Sequence, residues 1–400
     1  MSINIFVSNH MTKVGIGEHI AVISRLFSDS GYSVVESEEL DPDKLNVIID
    51  EFTSSLANRY ILNFREKHPE AKIIYYLTEF PTKRYGIETF NGFDSILVEW
   101  LSQAVNDFVL IHRRKDLTAS VSRWRANLLG LLVTALLGWY FLSYVALRGV
   151  AERLTQTVKK RKYNGFLLSI DWHQKFYWRA RYLGLNKMFA ACDGVLTAHR
   201  DIGADLATMP GFLEHKPAVF GEVFPIFSNR ALCFDFSGRG EFEGQKEIEM
   251  TGRLSGYRNR IFKRVRLVLK VERVGFKIFK RGFVDRDIFF SSTGGRYSIF
   301  SLHVPQTKLW PKVSPLRIYR AVEVDRSIPL VDRYFGQHPI EKVAFQLNFA
   351  GEDWIDGIPW FPSDRVGYCQ KLKDYNTEAT LLNTEVVEKI QSEGWLERGR

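Results

Sequence analysis

Leu128 to Leu147 is a run of twenty residues without a charge, set inside a chain that otherwise alternates short apolar strands with helical patterns. As a helix at 1.5 Å per residue it would be about 30 Å long, the thickness of a bilayer's hydrocarbon core. Its flanks are basic on both sides: Arg113, Arg114, Lys115, Arg123 and Arg125 before it, then Arg148, Arg153 and Lys159-Lys160-Arg161-Lys162. A single crossing normally biases positive charge to one side. It would also place the strands before and after it on opposite sides of a membrane, where they could not share a sheet. Twenty residues are too few for two crossings. The run is therefore read as a monotopic docking element, its basic flanks meeting anionic lipid; a buried core helix is the competing reading. Leu128, Leu132 and Leu136 would face the leaflet, with Trp139, Tyr140 and Tyr144 at the interface.

The charge follows the same division. Residues 1–110 carry 9 Lys and Arg against 16 Asp and Glu, whereas 111–162 carries 11 against 2, so the net +9 of the 400-residue chain is local rather than general. Three cysteines, Cys192, Cys233 and Cys369, form neither a disulfide framework nor a metal knuckle, which points to a reducing compartment. The start of the chain reads as a strand, Ile3 to Val7, with no signal-peptide pattern.

Around the apolar run the rhythm is strand and helix. Strands are expected at Ile3–Val7, Ser33–Val35, Leu45–Ile49, Lys72–Leu77, Ser95–Val98, Gly165–Ile170 and Gly194–Thr197. One helix carries Ile20, Ile23, Leu26 and Phe27 on a face and stops at Gly31; another repeats Leu56, Tyr60 and Phe64. Short apolar strands separated by helices predict a parallel sheet covered on both faces. Residues 226–246 read as a linker, and a second run begins at 247 with a strand at Glu247–Met250, a helix pattern from Arg258, and strands at Asp287–Phe290 and Ser298–Leu302. The tail from Glu378 to Trp395 reads as a helix. The expected organisation is 1–225 as one Rossmann-like α/β domain, carrying the docking insertion at about 112–162, and 247–400 as a second. The last helix is a candidate to pack back on the first.

The clearest chemical constellation runs from Ser301, His303, Pro305 and Gln306 to Ser314-Pro315, Arg317 and Arg320, and on to Ile328-Pro329-Leu330-Val331. A strand ends in a polar loop, a helix starts at Ser-Pro, and a buried strand follows. The free N–H groups and partial positive charge of a helix start suit a diphosphate, and Arg317 and Arg320 can add charged hydrogen bonds. Solvated arginines on a helix face are the plain alternative.

The stretch from Tyr297 to Val331 resembles the donor-binding segment of GT-B glycosyltransferases. Met250-Thr251-Gly252-Arg253 is similar to the opening of that fold's C-terminal domain, and Val14 to Ile20, with Gly15, Gly17, Glu18 and His19, to the loop after its first strand. The resemblance implies two Rossmann-like domains facing across a cleft. It implies a nucleotide sugar as donor, held by Gly252, Arg253, His303, Pro305, Gln306, Ser314, Pro315, Arg317 and Arg320, and no other cofactor. The two glutamates that retaining members of one large family carry around the donor helix would fall near Ser314 and Arg320, and are absent. An inverting reaction then needs a base in the N-terminal domain. His19 and Glu79 lead the candidates, with Glu18 beside them. Gly15 and Gly17 would line the acceptor side with Asp171 and His173, and His199 points to the same end of the sheet.

Asp41-Pro42-Asp43 sits in a polar turn and Asp285-Arg286-Asp287 precedes a strand, so neither reads as a metal site, and none is expected. The basic stretch from Arg260 to Arg281 reads chiefly as a solvated face. The expected function is sugar transfer to a membrane-associated, lipid-linked saccharide in envelope or exopolysaccharide assembly, at the cytoplasmic face of the plasma membrane. A catalytically silent membrane scaffold of the same fold is one alternative. A nucleic-acid-binding protein is the other, although no nucleic-acid partner is expected.

Overall fold

The computed structural model describes residues 2–7, 10–49, 55–78, 182–232, 246–251, 261–263, 265–266, 276–281, 300–304, 314–323, 327–332, 338–347 and 365–396. The first unit runs β1 (Ser2–Phe6), α1 (His10–Ser28), β2 (Ser33–Ser37), β3 (Leu45–Ile49), α2 (Ser55–Lys67) and β4 (Lys72–Leu77). It continues with β5 (Gly194–Thr197), α3 (Arg200–Leu206), α4 (Pro210–His215) and β6 (Ala218–Glu222). Its sheet has the order β2-β1-β3-β4-β5-β6, and every pairing is parallel. Burial follows position. Central β3 and β5 are buried at every residue, while edge strands β2 and β6 are half exposed. A strand covered on both faces needs a continuous apolar run, and Leu45–Ile49 supplies one around the single polar Asn46.

The second unit holds α5 (Asn229–Leu232), β7 (Lys246–Thr251), β8 (Phe276–Arg281), β9 (Phe300–His303), α6 (Pro315–Glu323), β10 (Ile328–Asp332), β11 (Phe345–Leu347) and α7 (Arg365–Ser392). Its sheet, also parallel throughout, has the order β8-β7-β9-β10-β11. Numbered within its own unit, each sheet begins 2-1-3-4-5. The chain thus contains two doubly wound, Rossmann-like α/β units, as the strand–helix rhythm predicts.

One helix joins them. Along α7, Tyr368, Leu372, Tyr375 and Ala379 are buried in the second unit's core, and Val386, Val387 and Ile390 in the core of the first. With buried Asn383 filling the gap between Ala379 and Val386, these positions follow a helical three-to-four-residue spacing and form a single stripe. A 28-residue helix is about 42 Å long, enough to reach from one core to the other. The extended segment after β6 is fastened to the same helix: Asn383 donates to Phe224 O (2.8 Å) and accepts from Phe224 N (2.9 Å). Asn376 does the same to Phe227, at 2.8 and 2.9 Å, and the Tyr375 hydroxyl donates to Pro225 O.

Several expectations need correction. Val14–His19 is not a loop: Gly15 and Gly17 both lie inside α1, which starts at His10. A helical glycine costs roughly 1 kcal/mol, less than the packing of Ile20, Ile23, Leu26 and Phe27 beneath it contributes. The buried stripe of α2 is Ala57, Ile61 and Phe64, with Tyr60 partly exposed and stacked on Phe6. Within the expected linker, Phe227 and Ala231 are core residues and 229–232 is helical, while 233–245 lies outside the described residues. Edge strand β6 was not legible because its register slips by one residue beside Val195, at Gly221 with φ +134°. β8 lies within the basic stretch, where three cations mask its alternation. The strands expected at 95–98, 165–170 and 287–290 and the apolar run 128–147 lie outside the described residues. Among the described residues no helix is long and apolar enough to cross a membrane.

Candidate functional site

In a doubly wound sheet, ligands bind beyond the carboxyl ends of the strands, where the winding reverses. The reversal lies between β1 and β3 in the first sheet and between β7 and β9 in the second. α1 leaves the first at β1, and α6 leaves the second at β9. These two helices meet. Leu316 of α6 is buried in the core built by Ile20 and Ile23 of α1, and Tyr319 packs against both cores. Arg320 Nη1 donates to Glu18 Oε1 at 3.0 Å, closing an ion pair across the units.

That pair joins a candidate base to a candidate donor ligand. The Glu18 carboxylate is committed to a guanidinium, which argues against it as the base. His19, the next residue, sets its ring edge-on to Tyr76 near the end of β4, with centroids 5.7 Å apart. Its Nδ1 is shut off from solvent without a hydrogen-bond partner, and burial lowers the imidazole's pKa to about 3. His19 is therefore neutral at every physiological pH and able to accept a hydrogen bond, though only weakly basic.

Ser314 precedes α6, and its carbonyl accepts from Arg317 N at 2.9 Å. Pro315 takes the first helical position and is buried. Arg317 and Arg320 are half-buried on this helix. His303 ends β9 with its Nε2 2.9 Å from Ser301 Oγ, both buried, one strand position from the start of the loop toward α6. Gly17 is exposed on α1, and a Cβ there would meet nothing within 4 Å. Gly17→Ala should accordingly stabilise the fold by about 0.5–1 kcal/mol, read as a higher urea midpoint. If ligand backbone approach needs the glycine, the same variant loses activity. Glu79, Asp171, His173, Gly252, Arg253, Pro305 and Gln306 lie outside the described residues, as do Leu128, Leu132, Leu136, Trp139, Tyr140 and Tyr144.

A second polar group was only partly anticipated. His199, just past β5, caps α3 by accepting from Asp201 N at Nδ1 (3.1 Å). His338 caps the short 3-10 turn Pro339–Lys342 the same way, accepting from Ile340 N at 3.0 Å, while Glu341 returns a bond to His338 N. The two imidazoles lie 5.7 Å apart, and His338 Nε2 lies 3.0 Å from Glu222 Oε1 at the end of β6. Burial raises the Glu222 carboxyl to about 7, partly offset by His199 and Arg200, and lowers His338 to about 3. His338-Pro339-x-Glu341 is a capping-box pattern with His in place of Ser, the signal that could have exposed this residue in the sequence. Among the described residues no group of His, Cys, Asp and Glu could hold a metal ion.

No family model matches the chain, and no curated protein matches it. Solved structures that resemble it include an alpha,alpha-trehalose 6-phosphate synthase from Burkholderia multivorans, 10% identical, over 89% of this chain and 73% of that one, with a TM-score of 0.43. The UDP-forming alpha,alpha-trehalose-phosphate synthase from Burkholderia vietnamiensis is 10% identical over 96% and 78%, at 0.43. A trehalose-6-phosphate synthase studied for glycosyltransfer with retention is 10% identical over 96% and 79%, at 0.44.

Proposed function

We propose that this chain is a GT-B glycosyltransferase that moves a sugar from a nucleotide-sugar donor to a saccharide acceptor. The observation that carries the reading is the meeting of α1 and α6, each leaving its sheet at the winding reversal, through Glu18 and Arg320. A donor diphosphate would rest at the start of α6 by Ser314, with Arg317 balancing the charge of the leaving group. In the inverting reaction the acceptor oxygen bonds to the anomeric carbon as the bond to the diphosphate oxygen breaks. The hydroxyl proton passes to a base of the first unit, Glu79 being preferred to the buried and weakly basic His19. The absence of glutamates at Ser314 and Arg320 supports inversion. The basic-flanked run 128–147 supports a lipid-linked acceptor at the cytoplasmic face of the plasma membrane, in envelope or exopolysaccharide assembly.

Calorimetric titration of the full chain with UDP, GDP, CMP and ADP, with and without EDTA, tests the donor site. The expected result is EDTA-insensitive binding of one nucleotide, weakened about tenfold or more in Arg317→Ala, the loss of a charge-assisted bond. Binding of none of the four, or equal binding by the variant, would overturn the proposed donor site.

A further inference from the structure

Glu222 and His338 belong to different units. Glu222 ends β6 of the first sheet, and His338 opens the turn that leads to β11 of the second. Their side chains are 8% and 0% exposed, and a carboxyl oxygen lies 3.0 Å from an imidazole nitrogen without hydrogen-bond alignment, so both atoms are buried with no hydrogen-bond partner. The other ring nitrogen accepts the Ile340 N–H, so a neutral His338 carries its proton on Nε2, the atom facing Glu222. Phe224 stacks obliquely on the ring at 5.0 Å, closing the contact from the crossover side. Such an acid–base contact stays buried only while the two units are packed together.

We propose that Glu222 and His338 form a proton-exchanging latch between the two units: opening the interface releases the carboxyl's proton and lets the imidazole take one up. Among the described residues, the charged and titratable groups facing the pair are His199 and Arg200 beside α3, with Tyr375 and Glu378 from α7. The Arg200 charge acts on both partners, and its backbone N–H donates to the Glu222 carboxylate. Glu378 is itself paired with Lys342 at 2.6 Å.

The sign follows from linkage. Glu222 goes from an ordinary 4.5 to about 7 on closing, so between these values the closed form holds a proton the open form lacks, and acidification favours closure. His338 goes from 6.5 to about 3, so between these values the open form holds the extra proton, and acidification favours opening. Over the shared window from 4.5 to 6.5 the two effects cancel, and the latch is insensitive to pH.

Hydrogen exchange by mass spectrometry on the full chain, from pH 5 to 7, tests this in wild type, Glu222→Gln and His338→Asn, the last keeping a capping oxygen. Relative to wild type, protection of the 338–344 segment should fall in Glu222→Gln by about tenfold per pH unit below 6.5. In His338→Asn it should rise by a similar factor. Segment 45–49 of β3, deep in the first sheet, should show no such divergence. Parallel pH profiles in all three proteins overturn the latch, and so does an equal divergence at 45–49, which would mean global unfolding. If Glu222→Gln does not fold, the His338→Asn profile decides alone: a rise confined to 338–344 upholds the latch and a parallel profile overturns it.

Discussion

Asn383→Leu should destabilise the chain by about 2–5 kcal/mol, although leucine has nearly the same shape and suits the surrounding stripe. The side chain of Asn383 is the sole polar member of the stripe between Ala379 and Val386, and it is 9% exposed. It satisfies both backbone groups of Phe224, in a segment buried under α7. Leucine leaves a donor and an acceptor unpaired without water to replace the bonds, and each costs about 1–3 kcal/mol. Asn376→Leu should cost roughly half as much, because its bonds to Phe227 are only part-buried. The spacing explains why two asparagines suffice. Seven residues of helix rise about 10.5 Å, and three residues of extended chain from Phe224 to Phe227 cover nearly the same distance. α7 thereby substitutes for the neighbouring strand that this crossover lacks. Urea unfolding of the two single variants and the double variant measures the effect, and a loss under 1 kcal/mol for Asn383→Leu would show that the crossover is solvated.

Much of the fold was legible because burial on both faces leaves an unmistakable trace. Leu45–Ile49, Lys72–Leu77, Gly194–Thr197 and Ile328–Val331 are apolar runs that could only be central parallel strands, and they are. Gly31, with φ +86°, ends α1 where the helical pattern stops. What failed was edge and crossover. Ala218–Glu222 alternates imperfectly because its register slips, and Phe276–Arg281 carries the charges an edge strand tolerates. The crossover Val223–Ser228 is apolar and largely buried without a strand partner of its own, since the groups that satisfy its backbone lie about 150 residues further along the chain.

The candidate site was legible in parts and wrong in its local form. Ser314-Pro315 announces the start of α6 through cap chemistry written in adjacent residues. Gly15 and Gly17 suggested a loop because glycine is a local signal, whereas the helix over them is held by packing from Ile20 onward. The tie between Glu18 and Arg320 spans 302 positions and leaves no local trace. Glu222 was missed for the same reason: its partner His338 belongs to the other sheet.

The second large effect comes from a charge cluster at the opposite end of the first sheet. Asp193 stands just before β5 and pairs with Arg65 from the end of α2, while its other oxygen accepts from Ile73 N at 2.9 Å. Its backbone carbonyl accepts from Ala218 N, so one residue pins the starts of β4, β5 and β6. Arg65 also donates to Pro69 O and Ala71 O at 2.8 and 2.7 Å. Asp193→Ala removes the counter-charge and orphans the Ile73 amide. The expected cost is about 2–4 kcal/mol, below that of a fully buried pair because each side chain keeps about a fifth of its surface in water. In a doubly wound sheet the amino ends of the strands face away from the ligand crevice, so this buried Arg–Asp pair is structural despite its charge. Nucleotide binding per folded molecule should therefore be unchanged in Asp193→Ala while the urea midpoint falls. The reverse pattern, weaker binding at undiminished stability, would move the functional end of the sheet away from His19 and α6.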